Sequence, residues 1–586
     1  MKTTFRLLIA IALLAASFSV ALAEPSPPVP TSLEDGYSNQ LFLPVVANAA
    51  VSSVATAEFD VAAKSPDPNA NENAFYKQIT VVSTSDLHGA LVGRVQDWSH
   101  GDAVGGAEWL AGYFNIVRNE NPGGFLYLDA GDSMQGTLIS NYFEGASTID
   151  VLNAMQLDAM APGNHEFDWG QDVLAEREHQ AHFPFLAANI FYKESDERPD
   201  YITPYIVKPV KGIKVGVIGV AYPDTPTVTN PVNVEDLDFT DPDDAVNEVI
   251  SEVEAKGATM IVVVAHIGGY YPDYEEGIKD FTCSLDSEEV DLVVSGHTHT
   301  RIDEEMCGIP VVQAYSSGTA FSRVDFTMDK RTGEVVSYVM NSYPVTTYQT
   351  YYGDPATYTR WDTGVSQEVV PNPRVEAMVD RYEAEIEELQ NEVIGETTQA
   401  ITRDYRHEST MGDWVTDIMR AYDDDIDFAF TNSGGLRAEI DAGLITYGEV
   451  FEAQPFDNTL VVVELDGAEV VQVLEEGTTG AHGLIQVSGL QFTFDYDDPI
   501  GSRVMGEVID LSTGLALEPA TTYYVAVNDF MANGGDEYDT LAANPQVNTY
   551  ELVRDLVVDW VWAYSPFTPP DPAVEQRITA YGTPPS

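Results

Sequence analysis

Short apolar runs separated by amphipathic stretches organise most of this chain. Ile79–Ser83, Phe125–Leu128, Val215–Val220, Met260–Ala265, Val290–Val294 and Val311–Tyr315 are brief and rich in Val, Ile and Leu. That length and composition predict buried strands. Between them lie helical patterns such as Asp244–Ala255, where Ala245, Val246, Val249, Ile250 and Val253 fall on one face. The alternation over 75–345 predicts a layered α/β or α+β domain. Residues 346–373, rich in Tyr, Thr and Pro, read as a loop. Pro371-Asn372-Pro373 then opens a helix, with Val375, Met378, Val379, Tyr382, Ile386, Leu389 and Val393 at helical spacing and Gly395 as its stop. This helix is expected to connect to a second, smaller α/β region over 396–582. That region carries a helix at Thr410–Tyr422 and strands at Ile426–Phe430, Leu460–Leu465 and Tyr523–Val527. The Pro-rich tail is expected to fray.

Residues 1–23 have the pattern of a secretory signal: Lys2 and Arg6, an apolar core from Leu7 to Val20, then Ala21-Leu22-Ala23. The apolar core is too short to span a membrane comfortably. The expectation is a secreted or periplasmic protein with no integral membrane segment. Residues 24–74 read as a poorly ordered linker in which Leu41–Val46 could form an isolated strand.

Metal-binding side chains follow the apolar runs. Asp86-Leu87-His88, Gly131-Asp132, Gly163-Asn164-His165-Glu166-Phe167-Asp168, His266 and Gly296-His297-Thr298-His299 each lie just past a predicted strand. In α/β sheets ligands gather beyond the strand carboxyl ends. Oxygen and imidazole donors suit Zn, Mn, Fe, Co or Ni, and Mg less well. Without thiolates they do not make a closed structural zinc site. Asp132 is placed to bridge two ions, which at roughly 3.5–4 Å apart can hold a hydroxide and clamp a phosphoryl group.

Taken together, these five motifs resemble the metallophosphoesterase superfamily. The resemblance implies a layered β-sandwich flanked by helices and two divalent ions (Zn, Mn, Co or similar). One would take Asp86, His88, Asp132 and His299; the other would take Asp132, Asn164, His266 and His297. It implies that a metal-bound hydroxide attacks phosphorus in line. His165, oriented by Asp168, then stabilises the transition state or protonates the leaving oxygen.

The second region offers Asn432-Ser433-Gly434-Gly435-Leu436-Arg437, a glycine loop ending in a fixed cation. It also carries aromatics at Phe456 and Phe530, with Gly534-Gly535-Asp536 after the second. Two aromatic faces can sandwich a base, and a carboxylate can accept ribose hydroxyls. These stretches resemble the C-terminal domain of the exported 5'-nucleotidases, and the resemblance covers nearly all of 75–582. It implies that Phe456 and Phe530 stack the base, Asp536 binds ribose, and Asn432, Gly434, Gly435 and Arg437 contact the nucleotide. It also implies a second domain that swings about the connector helix. Relatives place further phosphate-binding arginines before the helix start at Met411-Gly412. Here Arg403 and Arg406 stand near, out of register, with Tyr405 at one of the expected places.

The net charge is −66, from 94 acidic and 28 basic residues. Such a surface repels nucleic acid polymers and, at long range, small anionic substrates. Cys283 and Cys307 could pair, closing a loop around Gly296–His299. The leading expectation is a secreted dinuclear phosphohydrolase acting on nucleoside 5'-monophosphates. The same chemistry on a 2',3'-cyclic nucleotide, a UDP-sugar or a nucleoside diphosphate is the near alternative. A non-catalytic surface nucleotide-binding protein is the alternative from a different class.

Overall fold

A computed structural model describes residues 75–95, 103–270, 274, 277–344, 348–349, 354–360 and 364–584. The expected signal at 1–23, the 24–74 stretch and the strand candidate at Leu41–Val46 lie outside these residues. The first half is built on two face-to-face sheets. In one, Tyr76–Thr84 pairs parallel with Phe125–Asp129 and antiparallel with Ala320–Asp329; Ala159–Met160 and Val335–Pro344 flank them. In the other, Ile213–Val220, Met260–Ala265, Leu292–Ser295 and Ile309–Ala314 run parallel in that order, with antiparallel edges at Tyr205–Val210 and Arg301–Met306.

Side chains alternate across a strand, so each sheet has two faces to cover. Ile79, Val81, Leu126 and Leu128 of the first sheet meet Val215, Val217, Val262, Val264 and Val294 of the second in one buried core. The outer face of the first sheet, with Val82 and Tyr127, packs under helices Ala107–Glu120 and Ala146–Met155. The outer face of the second, with Ile218, Val263 and Val293, packs under Pro242–Ala255. Burial on both faces is why the strands read as continuous apolar runs. The result is the expected layered sandwich, α/β/β/α.

Helix Pro242–Ala255 starts where Asp241 accepts from the Asp243 and Asp244 amides at 3.0 and 3.4 Å. Helix Pro373–Gln390 is capped likewise by Asn372. It ends before Val393, which instead opens the strand Val393–Thr397, paired with Gly443–Thr446. Gly395 therefore lies within a strand and does not stop the helix. The β-branched pair Val393-Ile394 and an available partner strand override the helical spacing. Val375, Val379, Tyr382 and Ile386 bury the helix against the first half.

The 346–373 stretch also departs from expectation. It contains strand pairs Tyr348–Gln349 with Asp354–Pro355, and Thr357–Thr359 with Ser366–Glu368. Its Tyr and Thr residues favour strands more than the prolines oppose them. In the second half, Phe428–Thr431, Thr522–Asn528 and Thr459–Asp466 are adjacent in a mixed sheet. Ile578–Tyr581 pairs with Leu490–Asp495, and the buried Arg577 next to it donates to Asp417 at 2.8 Å, while the end of the Pro-rich tail, 585–586, lies outside the described residues. Cys283 and Cys307 are joined in a disulfide. Among the described residues no helix is long and apolar enough to cross a membrane.

Candidate active site

Loops at the carboxyl ends of both sheets converge. Asp86, His88 and His299 form one group of donor atoms; Asp132, His266 and His297 form another. In the first, His88 Nε2 and His299 Nε2 approach to 2.9 Å, with Asp86 Oδ1 3.7 Å from His299 Nε2. In the second, His266 Nε2 is 3.1 Å from Asp132 Oδ2, and Asn164 Oδ1 is 3.3 Å from His266 Nε2 and 3.1 Å from His297 Nδ1. Tyr222 stacks on His297 with ring centroids 4.2 Å apart.

The backbone bends unusually to achieve this. Asp86, His88, Asp132, His297 and His299 all have positive φ, from 49° to 76°. This left-handed region is uncommon outside glycine, though Asp and His enter it more than most. Strain of this kind clusters at functional sites and persists only where surrounding bonds enforce it. Here the Asp86 and His88 amides donate to the Gly131 and Asp132 carbonyls at 2.8 and 2.9 Å. The His297 amide donates to Asp86 Oδ1 at 2.9 Å, and the His165 amide to Asp132 Oδ1 at 2.9 Å. Gly163 has no alternative, because a Cβ there would lie 2.2 Å from Asp132 Oδ1.

Glu166 ties the two central loops together. Its buried carboxylate accepts from the amides of Asp132 (2.7 Å), Ser133 (2.8 Å), Met134 (3.2 Å) and Gly163 (2.7 Å). Asp129, by contrast, is structural, accepting from Thr84 and Ser133 hydroxyls and the Gly131 amide. Asp158 is held by the Tyr127 amide and Lys208.

The donor set fits two divalent cations. Asp86 Oδ2 is buried without a hydrogen-bond partner. Burial and the neighbouring Asp132 push the Asp86 carboxyl up to about 8, against the pull of His266. Burial, with the charges of His165 and Arg437, pushes His88 down to about 3, although Asp132 opposes it. Burial and His266 push His297 to about 3 as well, and burial holds His299 well below the usual range. Neutral imidazoles carry a free lone pair, the form that binds metal. The His88 Nδ1–H donates to the Gln135 carbonyl at 2.9 Å, which leaves Nε2 as that lone pair. His266 goes the other way: burial lowers it, but Asp132 and Asp86 prevail and raise it to about 9. The carboxylates thus demand positive charge, which a dication meets better than a proton does.

His165 stands beside the two groups. Its Nδ1 is 2.7 Å from Asp168 Oδ2, and Asp168 Oδ1 accepts from Thr229 at 2.9 Å. Burial lowers the imidazole, but Asp168 and Asp132 outweigh it, so protonation is favoured. Its ring stacks on Phe456 at 5.6 Å. A cavity of about 450 Å³ joins Asp132, Asn164, His165 and His299 to Phe456, Phe530, Asn432, Arg437 and Asp536 from the second half. The Phe530 ring lies where a Cβ on Gly535 would be, 2.4 Å from one ring carbon, so only glycine fits there. Asp536 accepts from Asn432 at 2.8 Å, and burial raises it to about 6 against the charge of His482. Polar contacts between the halves include Arg94 to Glu452 at 2.9 Å, Asn141 to the Pro455 carbonyl at 2.8 Å and Asn230 to Asp529 at 3.1 Å.

Residues 79–301 match the calcineurin-like phosphoesterase family, and residues 393–543 match the 5'-nucleotidase C-terminal domain. Both halves of the chain are therefore similar to 5'-nucleotidases. A solved structure of a Thermus thermophilus 5'-nucleotidase precursor is 29% identical with a TM-score of 0.73, covering 86% of this chain and all of that one. A Listeria monocytogenes cell wall protein is 28% identical over 80% of this chain. A Bacillus subtilis trifunctional nucleotide phosphoesterase is 30% identical over 78% of it. The chain spans 66% of the first of these relatives and 32% of the second.

Within this 5'-nucleotidase fold, Arg437 lines the cleft, whereas Arg403 lines a smaller neighbouring cavity and Arg406 lines neither. Tyr405 and His482 also face the cleft. Sequence reading gave no role to His482, Tyr222 or Glu166. Glu166 stood inside the central motif, but its four amide donors come from loops that only folding brings near.

Proposed function

We propose that this chain is a two-metal phosphohydrolase that removes phosphate from nucleoside 5'-monophosphates. The observation that carries this reading is the single cavity shared by both donor groups, His165 and the paired aromatics Phe456 and Phe530. Asp86, His88, Asp132 and His299 would hold one ion, and Asp132, Asn164, His266 and His297 the other. Bound there, the ions supply Lewis acidity and positive charge to the phosphoryl oxygens.

The chain's own residues do the rest. Phe456 and Phe530 stack the base, Asp536 with Asn432 takes the ribose hydroxyls, and Arg437 holds the phosphate with a planar fork of donors. His165, kept protonated by Asp168, gives its proton to the departing 5' oxygen as water's oxygen bonds phosphorus. The leader at 1–23 supports export.

The test is phosphate release from a panel of AMP, ADP, a UDP-sugar and 2',3'-cyclic AMP. The full chain is assayed after chelation and again after remetallation with manganese or zinc. AMP turnover that vanishes on chelation and returns with metal is expected. A panel in which only the cyclic ester turns over would overturn the substrate, and turnover indifferent to chelation would overturn the mechanism.

A further inference from the structure

Ten lysines occur in the chain, and eight of them lie among the described residues. Six of those eight, Lys77, Lys208, Lys211, Lys214, Lys256 and Lys330, gather at one end of the two sheets, where the parallel strands begin. Their contacts show how close they are. Lys77 Nζ donates to the Lys211 carbonyl at 2.6 Å, Lys214 Nζ to the Lys256 carbonyl at 2.5 Å, and the Lys330 amide to the Phe75 carbonyl at 2.9 Å. Phe75, at this same end, is 66% exposed, and Val336 is 38% exposed. We propose that this lysine-rich end, with Phe75 in it, is a docking surface for a membrane that carries anionic lipid headgroups.

The charges here are left for an outside partner. Lys77, Lys211, Lys214 and Lys256 direct their ammoniums at neutral groups: two backbone carbonyls, the Asn121 amide oxygen and the face of the Tyr205 ring. Among the described residues none of the four pairs with a carboxylate, in a chain with 94 acidic residues. An ammonium has three donors, so each keeps capacity for a phosphate oxygen. Carboxylates at this end are engaged by the backbone instead. Asp291 accepts from the Ile261 amide at 2.9 Å, and Asp329 from the Arg331 and Thr332 amides at 2.7 and 3.0 Å. Lys208 is paired with Asp158. Exposed Glu254 and Glu334 stand beside the lysines, so the attraction is moderate and reversible.

Shape and position favour a lipid surface. Lys211, Lys214, Lys256 and Lys330 are exposed on turns and strand starts. Point charges on flexible stems match headgroups that move laterally and impose no fixed geometry. An exposed aromatic among them can enter the headgroup layer. The sequence that holds the apolar run Leu7–Val20 enters the described fold at Phe75, which puts its point of attachment on this end. The strand Tyr76–Thr84 has nine residues, about 30 Å of rise, and Asp86 and His88 follow its far end. Docked this way, the cleft faces away from the membrane and stays open to nucleotides in solution.

Flotation of the full chain with vesicles tests the surface. Binding is expected to phosphatidylcholine vesicles containing about 30% phosphatidylglycerol in about 0.1 M sodium chloride, and not to phosphatidylcholine alone. Raising the salt to about 0.5 M should lower binding at least about fivefold. The fourfold variant Lys77→Gln, Lys211→Gln, Lys214→Gln, Lys256→Gln is expected to bind at least about tenfold less, and Phe75→Ser at least about threefold less. Turnover of AMP in solution stays at the wild-type value in both, and circular dichroism checks folding. Should the fourfold variant not fold, Phe75→Ser and the salt series still decide. No binding to either vesicle, equal binding to both, or unchanged binding in either variant would overturn the proposal. So would capture of soluble long-chain polyphosphate without capture of anionic vesicles, which would assign this end to a dissolved polyanion. The vesicle result stands whether or not the chain turns over AMP.

Discussion

Glu166 makes no contact with the cavity yet fixes both loops that carry the central donors. Glu166→Gln replaces one acceptor oxygen by a donor facing amides that also donate. Residues that orient metal ligands are typically worth 10- to 100-fold in metal affinity. Manganese affinity measured by calorimetry is therefore expected to fall at least about tenfold, with the fold retained by circular dichroism; unchanged affinity would refute the positioning role. His165→Ala should behave oppositely. Turnover of AMP is expected to drop about 100-fold or more, while metal stoichiometry by elemental analysis stays at the wild-type value. At this scale the donors were legible because Asp, His and Asn follow apolar runs. His482 was not, since a lone His in a glycine-rich stretch gains meaning only when Asp536 arrives 3.6 Å away.

Among the elements, the helix over Pro373–Gln390 was legible from its cap and spacing. Its end was not, because pairing with Gly443–Thr446 lies 50 residues away in sequence. The short strands of 346–373 escaped for the same reason: composition names a turn-rich segment but not its partners. The packing of this helix against Ala107–Glu120 has a pH consequence. Burial, then Glu383, Glu376 and Asp380 of the helix, push Glu108 up to about 7, although its own amide opposes them. Its Oε2 is buried with no hydrogen-bond partner. The folded form thus holds a proton that the unfolded chain, near the ordinary glutamate value of 4.5, has released. Stability is expected to decline as pH rises from that value towards 7. Glu108→Gln should remove about 1 kcal/mol of that decline, after allowance for solvent screening. Urea unfolding at pH 5 and pH 8 measures it. A variant no more stable than wild type at pH 8 would contradict the assignment.

For the whole molecule, the order of apolar runs predicted layered α/β architecture, and the five motifs' resemblance supplied the sandwich. The net charge of −66 sets the approach of substrate. An acidic coat slows an anionic nucleotide at long range, and salt screens it over about 10 Å at 0.1 M. Arg437 acts within the cleft and is screened less. KM for AMP is expected to fall severalfold as sodium chloride rises from 0.02 to about 0.5 M. A KM that rises steadily instead would show that local positive charge already dominates capture.

The left-handed backbone at Asp86, His88, Asp132, His297 and His299 reaches beyond geometry. Glycine would sit there at ease, and each exchange for it would relieve torsion while deleting a donor. A descendant freed from the chemistry therefore has a downhill path to a sturdier scaffold, and glycines at these five places would be the mark it leaves.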